Sequence, residues 1–242
     1  MDCGALRLAG RAAGTAGATA AMNCDPAELA SLSRCYCFGS KWRSVLAYIY
    51  CQWANNLTPQ FSWEPANAVM DWTDSGGAKS GDLETFYAAA DLSSVYEIKA
   101  PGLGITSLQN LSSLPALSRL ECENNLLTEL DVSNCTALTY LSCFDNSLAT
   151  LNLSNCSALD TLSCYNNALT VLDVSSCILL DYLECSGNSL NQAAVDSVLC
   201  KLVDNGVLNG TLNITSNSAP SGPGVMCSLV LEGPRGWLVF HD

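Results

Sequence analysis

The sequence carries a single histidine, His241, one residue from the end. Histidine-activated nucleophiles and histidine-rich metal sites therefore have no material. Positive charge is sparse as well. Ten Lys plus Arg against 23 Asp plus Glu leave a net charge of −13, which disfavours a phosphate backbone and sets nucleic acid aside as a partner. Charged residues make up 14%, so the surface is mainly Ser, Asn, Thr and Ala and suits neutral partners. No apolar run approaches the roughly 18 residues of a membrane span. There is no glycine-rich phosphate cradle, and the glycines of GLGITSLQ are explained by a turn. The residues call for no cofactor. A non-enzyme is expected, with carboxylate chemistry the one catalytic class that composition leaves open.

What is present is a repeat. ALSRLECENNLL, ALTYLSCFDNSL, ALDTLSCYNNAL and LLDYLECSGNSL recur at a spacing of 21 residues between Leu117 and Leu190. Leu120, Leu141, Leu162 and Leu183 are thus one position of a solenoid, and Cys122, Cys143, Cys164 and Cys185 another. The pattern L-x-x-L-x-(L/C)-x-x-N-x-L at this period is the leucine-rich-repeat signature, in which stacked repeats share one core. In LTYLSCF, Leu141 and Cys143 point to one side of a strand while Tyr140, Ser142 and Phe144 point to the other. Strands in register then form a parallel concave sheet. Asn125, Asn146, Asn167 and Asn188 fall where the chain leaves the strand, placed to satisfy buried backbone groups as an asparagine ladder. The second half of each repeat returns along the convex side with its own apolar set: Leu127, Leu130, Val132 and Cys135, then Leu148, Leu151, Leu153 and Cys156, then Leu169, Leu172, Val174 and Cys177.

The pattern decays outward but stays readable. Ile98 and Ala100 occupy the Leu and Cys positions 22 residues before Leu120, with Leu92 and Val95 leading in. Downstream, Asn191 is placed to cap a helix AAVDSVLCKLVDNG. Leu212, Ile214 and Asn217 then resume the repeat 29 residues after Leu183. A Gly/Pro-rich stretch and a short apolar segment lead to a last strand around Trp237 and Val239. The expected fold class is an α/β solenoid, a leucine-rich repeat whose parallel concave sheet has about seven strands, preceded by a small helical region.

LDVSNC on one arm and LSCxxN on the other make this repeat resemble the cysteine-ladder repeats of internalin-type bacterial surface proteins. The closing strand resembles the ends of related bacteriophage arrays. The resemblance covers about 95–240 and implies binding of proteins or glycans at cell surfaces. It is specific for fold and weakly specific for ligand.

Residues 1–24 read as an Ala/Gly-rich extension without the unbroken apolar stretch of a signal peptide, and Met22 is an alternative start. Residues 25–91 read as a helical hairpin and linker, a cap or attachment region. Helices are expected over about 26–36 and after Ser40, a loop over 57–82, and a short helix LETFYAAA capped by Asp82. Residues 92–242 form the repeat domain. Asp71, Asp74 and Asp82 offer oxygen ligands for calcium, but their spacing fits no standard loop, and a solvated turn is the expectation. Of the 14 cysteines, seven lie on the two ladders and are expected to be buried thiols. Cys24, Cys35, Cys37 and Cys51 are read as buried thiols or a single disulfide rather than a metal site. Abundant free thiols without a signal peptide point to folding in a reducing cytoplasm, with a virion or, alternatively, a bacterial cell surface as the final site. The N-x-S/T triplets arise readily in such repeats and are weak evidence of glycosylation.

The outward positions align as Arg119, Glu121 and Glu123; Tyr140, Ser142 and Phe144; Thr161, Ser163 and Tyr165; Tyr182, Glu184 and Ser186. Tyr140, Phe144, Tyr165 and Tyr182 are expected to cluster as a stacking surface, with Ser142, Ser163, Glu121 and Glu184 supplying polar contacts. Aromatic residues also favour strands without any ligand. The function expected is non-enzymatic recognition of a host-surface protein or glycan by a phage adhesin or a bacterial surface protein. The alternative is a structural virion or assembly protein whose N-terminal region packs on neighbouring subunits, as the tryptophans at 42, 53, 63 and 72 suggest.

Overall fold

The computed structural model describes residues 62–65 and 67–241. The chain divides into two units, Met1–Arg43 and Ser44–Asp242, and all described residues belong to the second. The helices expected over about 26–36 and after Ser40, together with Cys24, Cys35, Cys37 and Cys51, lie outside the described residues.

The elements in chain order are β1 (Ser62–Glu64), β2 (Met70–Asp74), β3 (Gly77–Gly81), α1 (Leu83–Ala89), β4 (Glu97–Lys99), β5 (Ser107–Gln109), β6 (Arg119–Glu121), β7 (Glu129–Asp131), β8 (Tyr140–Ser142), β9 (Thr150–Asn152), β10 (Thr161–Ser163), β11 (Tyr182–Glu184), α2 (Gln192–Asn205), β12 (Thr211–Asn213), α3 (Gly222–Glu232) and β13 (Leu238–Phe240). Seven strands, β4, β6, β8, β10, β11, β12 and β13, pair in parallel as the concave wall. Ile98, Leu120, Leu141, Leu162, Leu183, Leu212 and Val239 are register partners along it, as the repeat predicts. The chain is a leucine-rich-repeat solenoid. Its convex arm carries the short parallel pair β7–β9.

The core follows from the repeat. Leu120, Leu141, Leu162 and Leu183 are fully buried, as are Cys122, Cys143, Cys164 and Cys185, and the convex-arm apolar set is buried with them. All seven ladder cysteines are free thiols, and burial pushes every one of them above its ordinary pKa, Cys135 and Cys177 to about 12 and Cys156 to about 11.

The asparagine ladder holds the turns. Asn167 Oδ1 accepts from Leu148 N at 2.9 Å, while its Nδ2 donates to the carbonyls of Cys143 and Cys164, each at 3.1 Å. Asn146 does the same for Leu127, Cys122 and Cys143, and Asn188 for Leu169, Cys164 and Cys185. Asn125 and Asn217 extend the ladder at both ends. Each amide thus satisfies buried groups of two repeats. The residue before each ladder asparagine is left-handed: Asn124, Asp145, Asn166, Gly187 and Ser216 all have positive φ. That explains the pairs NN, DN and GN, because Asn, Asp and Gly tolerate this region best.

The N-terminal end departs from expectation. The stretch 57–82, read as loop, contains β1, β2 and β3. The hairpin β2–β3 adds antiparallel to β4 and extends the concave sheet to nine strands, while β1 pairs antiparallel with β5. The aromatic residues that broke the sequence pattern are the core of this cap. Trp63, Trp72 and Phe86 are almost wholly buried, with Phe86 meeting both indoles edge-on at 5.3 and 5.1 Å. The expected helix LETFYAAA is α1, and Asp82 caps it by accepting from Thr85 N. Asp74 is not in a solvated turn. It is 2% exposed, paired with Lys79 and accepting from the Gly76 and Asp91 amides, and Lys79 first among these holds its carboxyl below the ordinary range. Among the described residues no group of three or more His, Cys, Asp or Glu could hold a metal ion.

At the C-terminal end, Asn191 caps α2 by accepting from Ala194 N, and left-handed Gly206 ends it. The apolar segment between SAPSGPG and GWLVF is a second convex helix, α3, which the sequence reading left unassigned; Pro near its start was the available signal. Asp196 of α2 holds its first turn, accepting from Ser221 N at 2.8 Å and from the Ser221 hydroxyl. Cys200 and Cys227 join α2 to α3 through a disulfide. This bond departs from the expectation of a reducing environment, because exposed cytosolic thiols stay reduced. Trp237 sits just before β13, buried, and donates to the Val207 carbonyl.

Candidate functional site

The concave face is built by strand alternation: each Leu and Cys that turns inward leaves its neighbours facing outward. The ladder of backbone hydrogen bonds runs past the short strands, with Asn124 N bonded to the Phe144 carbonyl, Asp145 N to Tyr165 and Asn166 N to Ser186. Glu123, Phe144, Tyr165 and Ser186 therefore form one outward row across neighbouring repeats. Arg119, Tyr140, Thr161 and Tyr182 form a parallel row four residues earlier.

The expected four-ring cluster resolves into two different pairings. Phe144 and Tyr165 stack face to face, centroids 4.4 Å apart and planes 8° from parallel. Tyr140 is covered by the chain's own Arg119, whose guanidinium carbon lies 3.6 Å from the ring centroid. Tyr182 stands one strand beyond Thr161 from Tyr140 and is 40% exposed. Ser142 is a correction to the expected contact set. At 2% exposure it is buried and offers no surface to a partner. Glu121 and Glu184 are both half-buried on this face.

Charge divides the face into two halves. Toward the N-terminal cap, Glu97 pairs with Lys99 at 3.0 Å, and Arg119 Nη2 reaches Glu121 at 2.6 Å. Burial opposes ionisation of Glu97, but Lys99 and the Thr73 hydroxyl outweigh it, and the carboxyl falls below its ordinary value. A depression of about 410 Å³ beside this network is lined by residues including Asp71, Thr73, Lys79, Glu97 and Lys99. Toward the C-terminal end the cations stop. From Leu120 to Cys200 the sequence has no Lys, Arg or His and ten Asp plus Glu. The Phe144–Tyr165 pair stands in this stretch. Glu123 Oε2 is buried and accepts no hydrogen bond among the described residues. Glu184 is held in place by Ser186 Oγ at 2.6 Å and Asn213 Nδ2 at 3.2 Å. Burial, then the charges of Asp145, Glu184 and Glu123, raise the Tyr165 pKa. The sequence reading found the rings but not this asymmetry, which was legible as the absence of basic residues between Arg119 and Lys201.

A parallel sheet of half-buried aromatic and acidic side chains, with no group among the described residues able to hold a metal ion, defines a leucine-rich-repeat protein with an accessible concave surface. Among solved structures, the functional domain of InlJ from Listeria monocytogenes, which includes a cysteine ladder, is similar at 25% identity and a TM-score of 0.41, over 59% of this chain and 33% of that one. An internalin of the same organism, InlF, is similar at 22% identity and a TM-score of 0.41, over 62% of this chain and 48% of that one. The chain thus spans less than half the length of either. No family model matches it, and no curated protein does. No helix among the described residues is long and apolar enough to cross a membrane.

Proposed function

We propose that the chain is a non-enzymatic recognition module that binds a protein partner on its concave face and is displayed on a bacterial or phage surface. The observation that carries this reading is the Phe144–Tyr165 stack, a rigid aromatic pair standing on the side of the sheet that does not build the core. Exposed aromatic residues on a preorganised scaffold contribute contact area at little entropic cost. The Cys200–Cys227 disulfide supports display in an oxidising environment. Tyr182 and Glu184 extend the contact surface, Glu121 and Tyr140 border it, and a glycan is the other ligand class such rings accommodate.

A second reading, assembly with neighbouring subunits, is favoured by the apolar residues exposed at the C-terminal end: Val225, Met226 and Leu229 on α3, and Leu238 and Phe240 on the edge strand β13. One experiment separates the two. Wild type, Phe144→Ala with Tyr165→Ala, Leu238→Ser with Phe240→Ser, and the convex pair Thr128→Ala with Glu129→Ala are compared on an array of purified surface proteins and glycans, at matched melting temperature. The concave variant should lose at least tenfold in affinity, about 1.4 kcal/mol. Loss confined to the β13 variant, or an array on which no protein distinguishes the concave variant from wild type, overturns the recognition reading.

A further inference from the structure

The face already contains one complete cation site, filled by its own chain. Arg119 lies over the Tyr140 ring from the neighbouring strand, and its Nε and Nη2 both reach Glu121 Oε1, at 2.7 and 2.6 Å. Ring and carboxylate together hold one guanidinium. A ring and a carboxylate meet again further along the face, Tyr165 just after β10 and Glu184 on the adjacent β11, and no basic residue of the repeats stands with them. Phe144 occupies one face of Tyr165, so the opposite face is turned toward the strand of Ser186, a small side chain. Glu184, fixed by Ser186 and Asn213, stands beside it. At the other end of the stack, the neighbouring residue in the row is Glu123, with its buried, unpartnered oxygen.

We propose that the Phe144–Tyr165 stack, flanked by Glu123 and Glu184, is a receptor for an arginine or lysine side chain of the partner protein. This rests on the concave-face reading and names the chemistry of its ligand. Charge complementarity selects the occupant: no basic residue of the repeats lies between Arg119 and Lys201 to neutralise this patch, whereas the equivalent groups around Tyr140 are neutralised internally. The Glu184 carboxylate pairs more strongly with a charged donor than with a neutral one. A guanidinium suits the site better than an ammonium, since it stacks on a ring face while its edge reaches a carboxylate. A neutral sugar satisfies the rings but leaves the carboxylates uncompensated.

The test uses the full chain and two small probes, N-acetyl-arginine methylamide and its neutral isostere N-acetyl-citrulline methylamide, titrated while the ring resonances of Tyr165 and Phe144 are followed by NMR. The arginine probe should shift the Tyr165 ring saturably, and the citrulline probe should bind at least fivefold more weakly. Glu184→Gln should remove that preference and leave the spectrum of the core unchanged, with Glu123→Gln as a second variant acting from the other end of the stack. Raising the salt concentration should weaken the arginine probe alone. Equal saturable shifts from both probes would overturn the cation receptor and keep the aromatic surface. No shift from either would overturn both.

Discussion

Raising the pH from 7 to 10 should unfold this solenoid through its own cysteines. The seven ladder thiols are buried on all sides, and burial raises each above the ordinary value of 9.0. The sign follows from linkage. A group whose folded pKa exceeds its unfolded pKa contributes stability that is whole below the unfolded value. That stability is lost as pH rises toward the folded value, because only the unfolded chain releases the proton. The window here runs from about 9 to 11 for Cys156 and to about 12 for Cys135 and Cys177. One pH unit above its unfolded pKa, each thiol favours the unfolded state by about 1.4 kcal/mol, so seven acting together approach about 10 kcal/mol. That is the whole stability of an ordinary domain. Urea unfolding at pH 7, 8, 9 and 10, under argon and without reductant so that the Cys200–Cys227 bond stays closed, measures the slope. Cys143→Ala with Cys164→Ala lowers stability at pH 7 by leaving cavities, but its loss between pH 8 and 10 should be smaller than the parent's by about 2.5 kcal/mol. An identical pH slope in parent and double variant would refute the reasoning.

Asn167→Ala should lower stability by about 2–4 kcal/mol, because it strands the Leu148 amide and the Cys143 and Cys164 carbonyls inside two repeats at once; chemical denaturation with an unchanged m-value checks this. Replacing both Cys200 and Cys227 by Ala should lower stability by about 3 kcal/mol, as expected for a link closing 27 residues, and calorimetry of the α2–α3 end should show the loss while the ladder thiols remain untouched.

The solenoid was legible because repetition multiplies a weak signal. A single LxxLxC is ambiguous, whereas four in register fix the strand, the inward face, the asparagine position and the parallel pairing together. The cap was not legible, because Trp63, Trp72 and Phe86 occur once each and draw their meaning from contacts between β1, β2 and α1. Prolines and glycines in 57–82 spoke locally for a loop, and tertiary packing of the indoles overrode them. Helix α3 was obscured for a related reason: its N-cap Ser221 makes no local capping bond and is held instead by Asp196, 25 residues upstream, which no local window contains. On the concave face the outward residues could be placed by alternation alone. Their partners could not, since nothing in the repeat distinguishes Arg119 turning onto Tyr140 from Phe144 and Tyr165 turning onto each other. Ser142 shows the limit of alternation. It points outward by register, between Tyr140 and Phe144 along the chain, and is nevertheless buried.

Hydroxyl-radical footprinting of the full chain, with and without a partner drawn from the array, reads the central claim residue by residue. Protection should fall on Phe144, Tyr165 and Tyr182 of the concave face, while Val171 and Leu179, exposed and remote from those rows in the repeat, should be oxidised equally in both states. Protection confined to Val171 and Leu179, or to Leu238 and Phe240 at the C-terminal edge, would contradict the concave face as the binding surface.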